Sequence, residues 1–235
     1  MKKKYFSVCF LALIILVRVL ASNKVVVVMK SFFASDTDIK SRAVVVIDPG
    51  HGGRDPGKVG VNNALEKDIN LEIAMSLKTL LEQNDIQVIM TREEDIGLYE
   101  ETDRNKKTAD LRKRVDLIHS SEADFAVSIH QNSFVQEQVK GAQVFYHSSS
   151  SEGKRLAEII QEQMKKTVKD GNHRKAKSNT NYYMLKHTEC PLVIVECGYL
   201  SNYNEANLLI DEDYQDKMAW AIHLGIMQYI NENDM

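Results

Sequence analysis

From Ala43 to Ile230 short β-branched runs alternate with stretches of helical periodicity, and that alternation limits the folds open to the chain. Ala43–Asp48 (AVVVID), Ile86–Met90 (IQVIM), Phe125–Ile129 (FAVSI), Ala142–Tyr146 (AQVFY) and Leu192–Val195 (LVIV) read as buried strands, and Tyr182–Leu185 as a short one. Between them, Leu65, Ile69, Ile73, Leu77, Leu80 and Leu81 recur at helical spacing, as do Leu111, Val115 and Ile118. Glu152–Val168 and Tyr214–Ile230 complete the set of helices. Strands and helices in this order predict an α/β three-layer sandwich, a mostly parallel mixed sheet with helices on both faces. No internal repeat is visible.

Composition supports one globular core. Apolar residues make up 43% of the 235, enough for a single sizeable domain. The net charge of −3 excludes a polycation built to neutralise nucleic acid, and no nucleic-acid partner is expected. Three cysteines build no disulfide framework. The first residues behave differently. Met1-Lys-Lys-Lys4 is basic, and Tyr5–Ala21 is apolar apart from Ser7 and Arg18, so 1–22 reads as an export signal or a membrane anchor. Cys9 precedes most of that run, which argues against a lipid-anchored cysteine. Residues 23–42 read as a linker and 43–235 as the folded domain.

The first strand ends in Asp48-Pro49-Gly50-His51-Gly52-Gly53-Arg54-Asp55-Pro56-Gly57. Gly52-x4-Gly57-Lys58 has P-loop spacing, but Val59 stands where the metal-binding hydroxyl belongs. Gly50-x-Gly52 lacks the third glycine of a dinucleotide turn, because Asp55 occupies that position. Neither phosphate motif survives. What remains is a histidine at the carboxyl end of a strand, the edge where open α/β sheets bind ligands. His130 and Glu196 each follow a strand directly, and Glu66 opens the first helix, so all four residues gather at that rim. Two His and one Glu suffice for a catalytic zinc, and a second glutamate can take a proton from water there.

Each residue also has a simpler account. His51 could hydrogen-bond its own turn, Glu66 could complement a helix N-terminus, and His130 could be a polar strand end. Glu196 resists such an account, because a carboxylate ending a buried LVIV run is costly unless paired or functional.

Six segments together resemble the zinc-dependent N-acetylmuramoyl-L-alanine amidases of the bacterial cell wall known as amidase 3. They are Ile47–Gly53, Leu65–Asp68, Met90–Arg92, Leu111–Arg114, Ser128–Asn132 and Pro191–Asn202, in family order across 43–230. The resemblance implies that His51, Glu66 and His130 bind Zn2+ at the carboxyl edge of the strands, and that Glu196 is the catalytic glutamate. It implies hydrolysis of the amide joining the lactyl group of N-acetylmuramic acid to L-alanine in peptidoglycan, outside the cytoplasm; the sequence leaves open whether an activating partner protein is needed as well. Gln131 and Ser133 depart from the small residues common after the histidine, and Tyr199 replaces the usual Phe. The single short domain and the charged insertion Glu93–Asp110 are similar to the germination-specific amidases of endospore formers, which act on spore cortex and help make muramic-δ-lactam. A vegetative wall amidase, a glycosidase using Glu66 and Glu196, and a non-catalytic wall-binding module of the same fold are the alternatives.

The other histidines, His119, His147, His173, His187 and His223, match no motif position and read as surface or packed residues. Cys190 and Cys197 bracket a strand that would hold them about 23 Å apart, beyond disulfide reach. The basic stretch Lys165, Lys166, Lys169, Arg174, Lys175 and Lys177 reads as a solvated helix end, with contact to an anionic wall polymer as the sharper alternative.

Overall fold

The computed structural model describes residues 42–235. The expected signal or anchor at 1–22, and the linker up to residue 41, lie outside the described residues. Among the described residues no helix is long and apolar enough to cross a membrane. The chain runs β1 (Val44–Pro49), α1 (Glu66–Glu82), β2 (Gln87–Met90), α2 (Lys106–Ser120), β3 (Phe125–Asn132), β4 (Gln143–Tyr146), α3 (Ser151–Val168), β5 (Lys177–Ser178), α4 (Tyr183–His187), β6 (Leu192–Tyr199), α5 (Tyr203–Leu209) and α6 (Glu212–Glu232).

Six strands form one mixed sheet in the order β2-β1-β3-β6-β4-β5. β2, β1, β3 and β6 pair in parallel, and β4 joins β6 antiparallel. Side chains alternate across this sheet. Val45 and Ile47 join α1, α3 and α6 in the larger core, with Phe125, Val127, Ile129, Val193 and Val195. Val46, Ala126 and Ile194 face the other way, onto Val115 and Ile118 of α2 and Met184 and Leu185 of α4. Both faces are therefore covered, which is why β1, β3 and β6 read as nearly continuous apolar runs. Each fully buried Ile or Leu contributes about 1.5–3 kcal/mol by leaving water.

Side chains mark several helix starts. Asn105 accepts from the Thr108 backbone N–H, Ser150 from Gly153 and Asp211 from Tyr214. The α1 start is different, since its Leu65 N-cap makes no side-chain hydrogen bond. Instead the N–H groups of Glu66 and Lys67 donate to the carbonyls of Lys58 and Pro56 at 3.0 and 3.2 Å. The β1–α1 loop is thus tied to the helix it feeds.

Two expectations need correction. Tyr182–Leu185 is no strand; α4 spans Tyr183–His187. Met184 and Leu185 are consecutive and both buried against Phe145 and Ile194, which a strand, with its alternating faces, could not achieve. β3 and β6 also run further than the apolar runs, to Asn132 and Tyr199, so His130 and Glu196 sit within strands rather than after them. Backbone pairing continues there after the hydrophobic pattern has ended. The short α5 and the two-residue β5 had no periodic signal.

Candidate metal and active site

His130 and Glu196 are register partners on adjacent parallel strands, and Glu196 also faces Gln143 on β4. In parity they belong with Ser128 and Ile194, so both project toward the face covered by α2 and α4. His51 arrives from the β1–α1 loop and Glu66 from the first position of α1. The structure brings all four predicted residues to one cavity of about 450 Å³.

His51, Glu66 and His130 each offer one ligand atom, and these atoms lie within 4.8 Å of one another. Glu66 Oε1 is 3.2 Å from His51 Nε2 and 2.9 Å from His130 Nδ1. The Glu66 carboxylate also accepts the backbone N–H groups of Lys58, at Oε2, and Gln131, at Oε1. Burial alone would push its pKa up. The hydrogen bonds from His130 and His51 outweigh that and hold it well below the usual carboxylate range. His130 is likewise pulled down by burial and raised further by Glu66. Two imidazole nitrogens and one carboxylate oxygen, converging at a cavity, form a group that could hold a metal ion, and they are donors of the types that zinc takes.

His51 is held from behind. Its Nδ1 lies 2.9 Å from Asp55 Oδ2, which leaves Nε2 for the cluster. Its backbone has φ of 64°, the left-handed region that a histidine seldom adopts. Two buried guanidinium groups stabilise that turn. Arg114 donates to the carbonyls of Pro49 and His51, and Arg92 to those of Pro49, Gly50 and Lys67. Arg114 is in turn paired with Asp48 at 2.7 Å and Asp110 at 2.6 Å. Gly50 is required by close approach, because a Cβ there would overlap the His130 ring. Gly57 has φ of 69°, and a Cβ would press on Glu66 and His51.

Glu196 is 7% exposed, and its Oε2 has no hydrogen-bond partner. Burial first, and then the negative charge of Glu66, push its pKa up to about 7 against the lowering effect of His130, His51 and Tyr182. A buried acid with an unmatched oxygen, on a residue that lines the cavity, has the character of a group that exchanges a proton there.

Several partners lacked a clear sequence signal. Asp48, Arg92 and Arg114 lie in the family-like segments, where no local pattern marks their contacts. Asp55 carries one signal, its position four residues after His51 within a glycine loop. Outside the site, Cys197 is buried and Cys190 partly so, both as free thiols. His223 is buried with Nε2 on Asn84, and His187 stacks against Tyr183. In the basic stretch, Lys165 pairs with Glu162, while Arg174 packs 4.9 Å over the Tyr199 ring and donates to the Lys140 carbonyl.

Comparison with known proteins identifies the family. Residues 45–228 match the amidase 3 family model, N-acetylmuramoyl-L-alanine amidase. The germination-specific N-acetylmuramoyl-L-alanine amidase of Bacillus subtilis is 40% identical over 195 residues, covering 82% of this chain and 81% of that protein. The CwlD amidase of Clostridioides difficile, solved in complex with the GerS lipoprotein, superposes with a TM-score of 0.78 at 42% identity, covering 81% of this chain and 99% of that one. The catalytic domain of CwlV from Bacillus (Paenibacillus) polymyxa gives 0.71 at 32% identity, covering 80% and 98%. The fold, the segments in family order and these matches together place the chain in the amidase 3 family, as a peptidoglycan-hydrolysing N-acetylmuramoyl-L-alanine amidase.

Proposed function

We propose that His51, Glu66 and His130 hold a zinc ion and that Glu196 carries the proton in amide hydrolysis. The observation that supports this most is the convergence of three ligand-type atoms beside a buried carboxylate oxygen without a partner. A zinc ion held by His51, Glu66 and His130 would supply Lewis acidity for activating water and polarising the lactyl carbonyl. Glu196 takes the proton of the attacking water and delivers it to the departing L-alanine amine. Asp55 engages His51 Nδ1 and leaves Nε2, 3.2 Å from Glu66 Oε1, as the nitrogen that would bind a metal. The Arg92 and Arg114 contacts hold the left-handed turn that aims the ring.

The substrate lies outside the cytoplasmic membrane, and residues 1–22 fit export or anchoring there. The likeness to the germination-specific amidase supports spore cortex as the target, with muramic-δ-lactam formation downstream. The C. difficile relative was solved with a lipoprotein, and a partner protein for this chain is part of the proposal. A glycosidase reading fits poorly, because Glu66 is taken up between two imidazoles and is not free to protonate a glycosidic oxygen.

The test is digestion of isolated cortex peptidoglycan by the full chain, with chelator and with zinc restored. New alanine amino groups that depend on zinc, without new reducing ends, support the reading. Reducing ends that persist in chelator overturn it.

A further inference from the structure

The catalytic cavity carries two uncommitted cations. Lys58, in the β1–α1 loop, and Lys107, in the first turn of α2, both line it, and no other Lys or Arg does. Among the described residues neither ammonium enters an ion pair, although their neighbours do. Lys106 is taken up by Glu101, Lys113 by Glu100 and Lys67 by Asp95. Asp55 feels the Lys107 charge, but its carboxylate is already engaged by the His51 ring and the Gly57 N–H. The charged segment before and into α2 therefore neutralises its other lysines and leaves Lys107 facing the site.

Away from the proposed metal ligands, Glu196 and Asp55, the rest of the wall carries no charge. Leu111, Met184, Ile194, Tyr182 and Tyr183 offer apolar and aromatic surface, and Gln131, Asn132 and Ser133 add neutral polar groups. A ligand suited to the whole cavity is thus uncharged along one part and anionic where it meets Lys58 and Lys107. An N-acetylmuramoyl-L-alanine unit has this asymmetry. Its lactyl carboxyl is consumed in the scissile amide, so the sugar arm carries no charge, and carboxylates occur only along the peptide arm.

We infer that Lys107, together with Lys58, binds a carboxylate on the peptide arm of the substrate and thereby selects which muramoyl peptides are cleaved. The inference rests on the amidase reading above and names a specificity determinant within the same site. Lysine suits the task, since a point charge on a flexible stem follows a carboxylate whose position varies with the peptide.

The test uses the full, zinc-loaded chain and two synthetic substrates. Both are N-acetylmuramoyl-L-alanyl-glutamyl compounds, differing only in whether the residue after alanine carries a free α-carboxylate or its amide. Wild type is expected to favour the acid by about fivefold in kcat/KM, through KM rather than kcat, with the preference shrinking at high salt. Lys107→Ala, and more fully Lys58→Ala with Lys107→Ala, brings the ratio toward one, whereas Lys107→Arg keeps it. Both lysines are exposed, so folding is not at stake, and a melting curve checks this. Equal cleavage of the two substrates by wild type overturns the inference alone, as does an acid preference surviving in the double variant. Cleavage of the two substrates at a bond other than the muramoyl–alanine amide overturns the amidase reading with it.

Discussion

Arg114 Nη2 donates to the carbonyl oxygen of His51 at 2.6 Å, across 63 residues of chain. The same guanidinium reaches Asp48 through Nη1 at 2.7 Å, so one buried cation joins the β1 carboxylate to the turn that presents the first imidazole. Structure and chemistry share this group.

Arg114→Ala should therefore be expensive. It leaves Asp48, 1% exposed, charged and without its main partner. Loss of one member of a buried pair costs about 3–5 kcal/mol, read as a drop in urea midpoint at neutral pH. A change below about 1 kcal/mol would show that the pair is not holding the domain together.

The Asp48 pair also fixes a pH dependence. Burial raises the Asp48 pKa, but the Arg114 charge and hydrogen bonds from Ser128, Thr91 and Arg114 bring it from 3.8 down to about 2. A depressed carboxylate stabilises the fold fully above its unfolded value of 3.8, and that share is lost as pH falls through about 2. The share is about 2 kcal/mol. Denaturant midpoints measured from pH 5 downward should fall more steeply for wild type than for Asp48→Asn. Parallel curves would contradict the assignment.

Asp55→Asn separates aiming the ligand from folding. The Asp55 side chain is 36% exposed, so the metal-free melting temperature should hardly move. Zinc affinity, measured by competition with a chromophoric chelator, should weaken about 10–100-fold, because His51 loses the acceptor that fixes its tautomer. Unchanged affinity would mean that the turn alone orients the ring.

Glu196→Gln keeps the shape and removes the base. Zinc content by elemental analysis should stay at the wild-type level, while turnover drops by about 10²–10⁴-fold. If the variant loses its metal instead, Glu196 is a ligand and the roles of the two glutamates must be exchanged.

Much of this architecture is readable from periodicity. β1, β3 and β6 announce themselves because both faces of the sheet are covered, and α1 because its apolar stripe faces one core. His51, Glu66, His130 and Glu196 are legible because each stands at or just beyond the end of a patterned segment. The support behind them is harder to read. Arg114 occupies the apolar stripe of α2 with Leu111, Val115 and Ile118, at the spacing of a core position, yet its charge suggests a solvated face. The Asp48 carboxylate, 66 residues earlier, and the Pro49 and His51 carbonyls join the nearby Asp110 in making burial there tolerable. Such long-range pairs leave no local periodic trace. The α4 helix differs from its expected strand for a related reason, since the conformation of a run as short as Tyr182–Leu185 is set by what it packs on rather than by its own sequence.

The register between β3 and β6 has one more consequence. His130 and Glu196 sit opposite each other in two of the most buried strands, so no hinge or surface loop separates the proposed ligand from the proposed base. A one-residue slip would turn either side chain to the opposite face. Durability and competence are then a single property: the two groups part company only when the sheet itself comes undone, and the working lifetime of the enzyme on heating is the lifetime of its central strands.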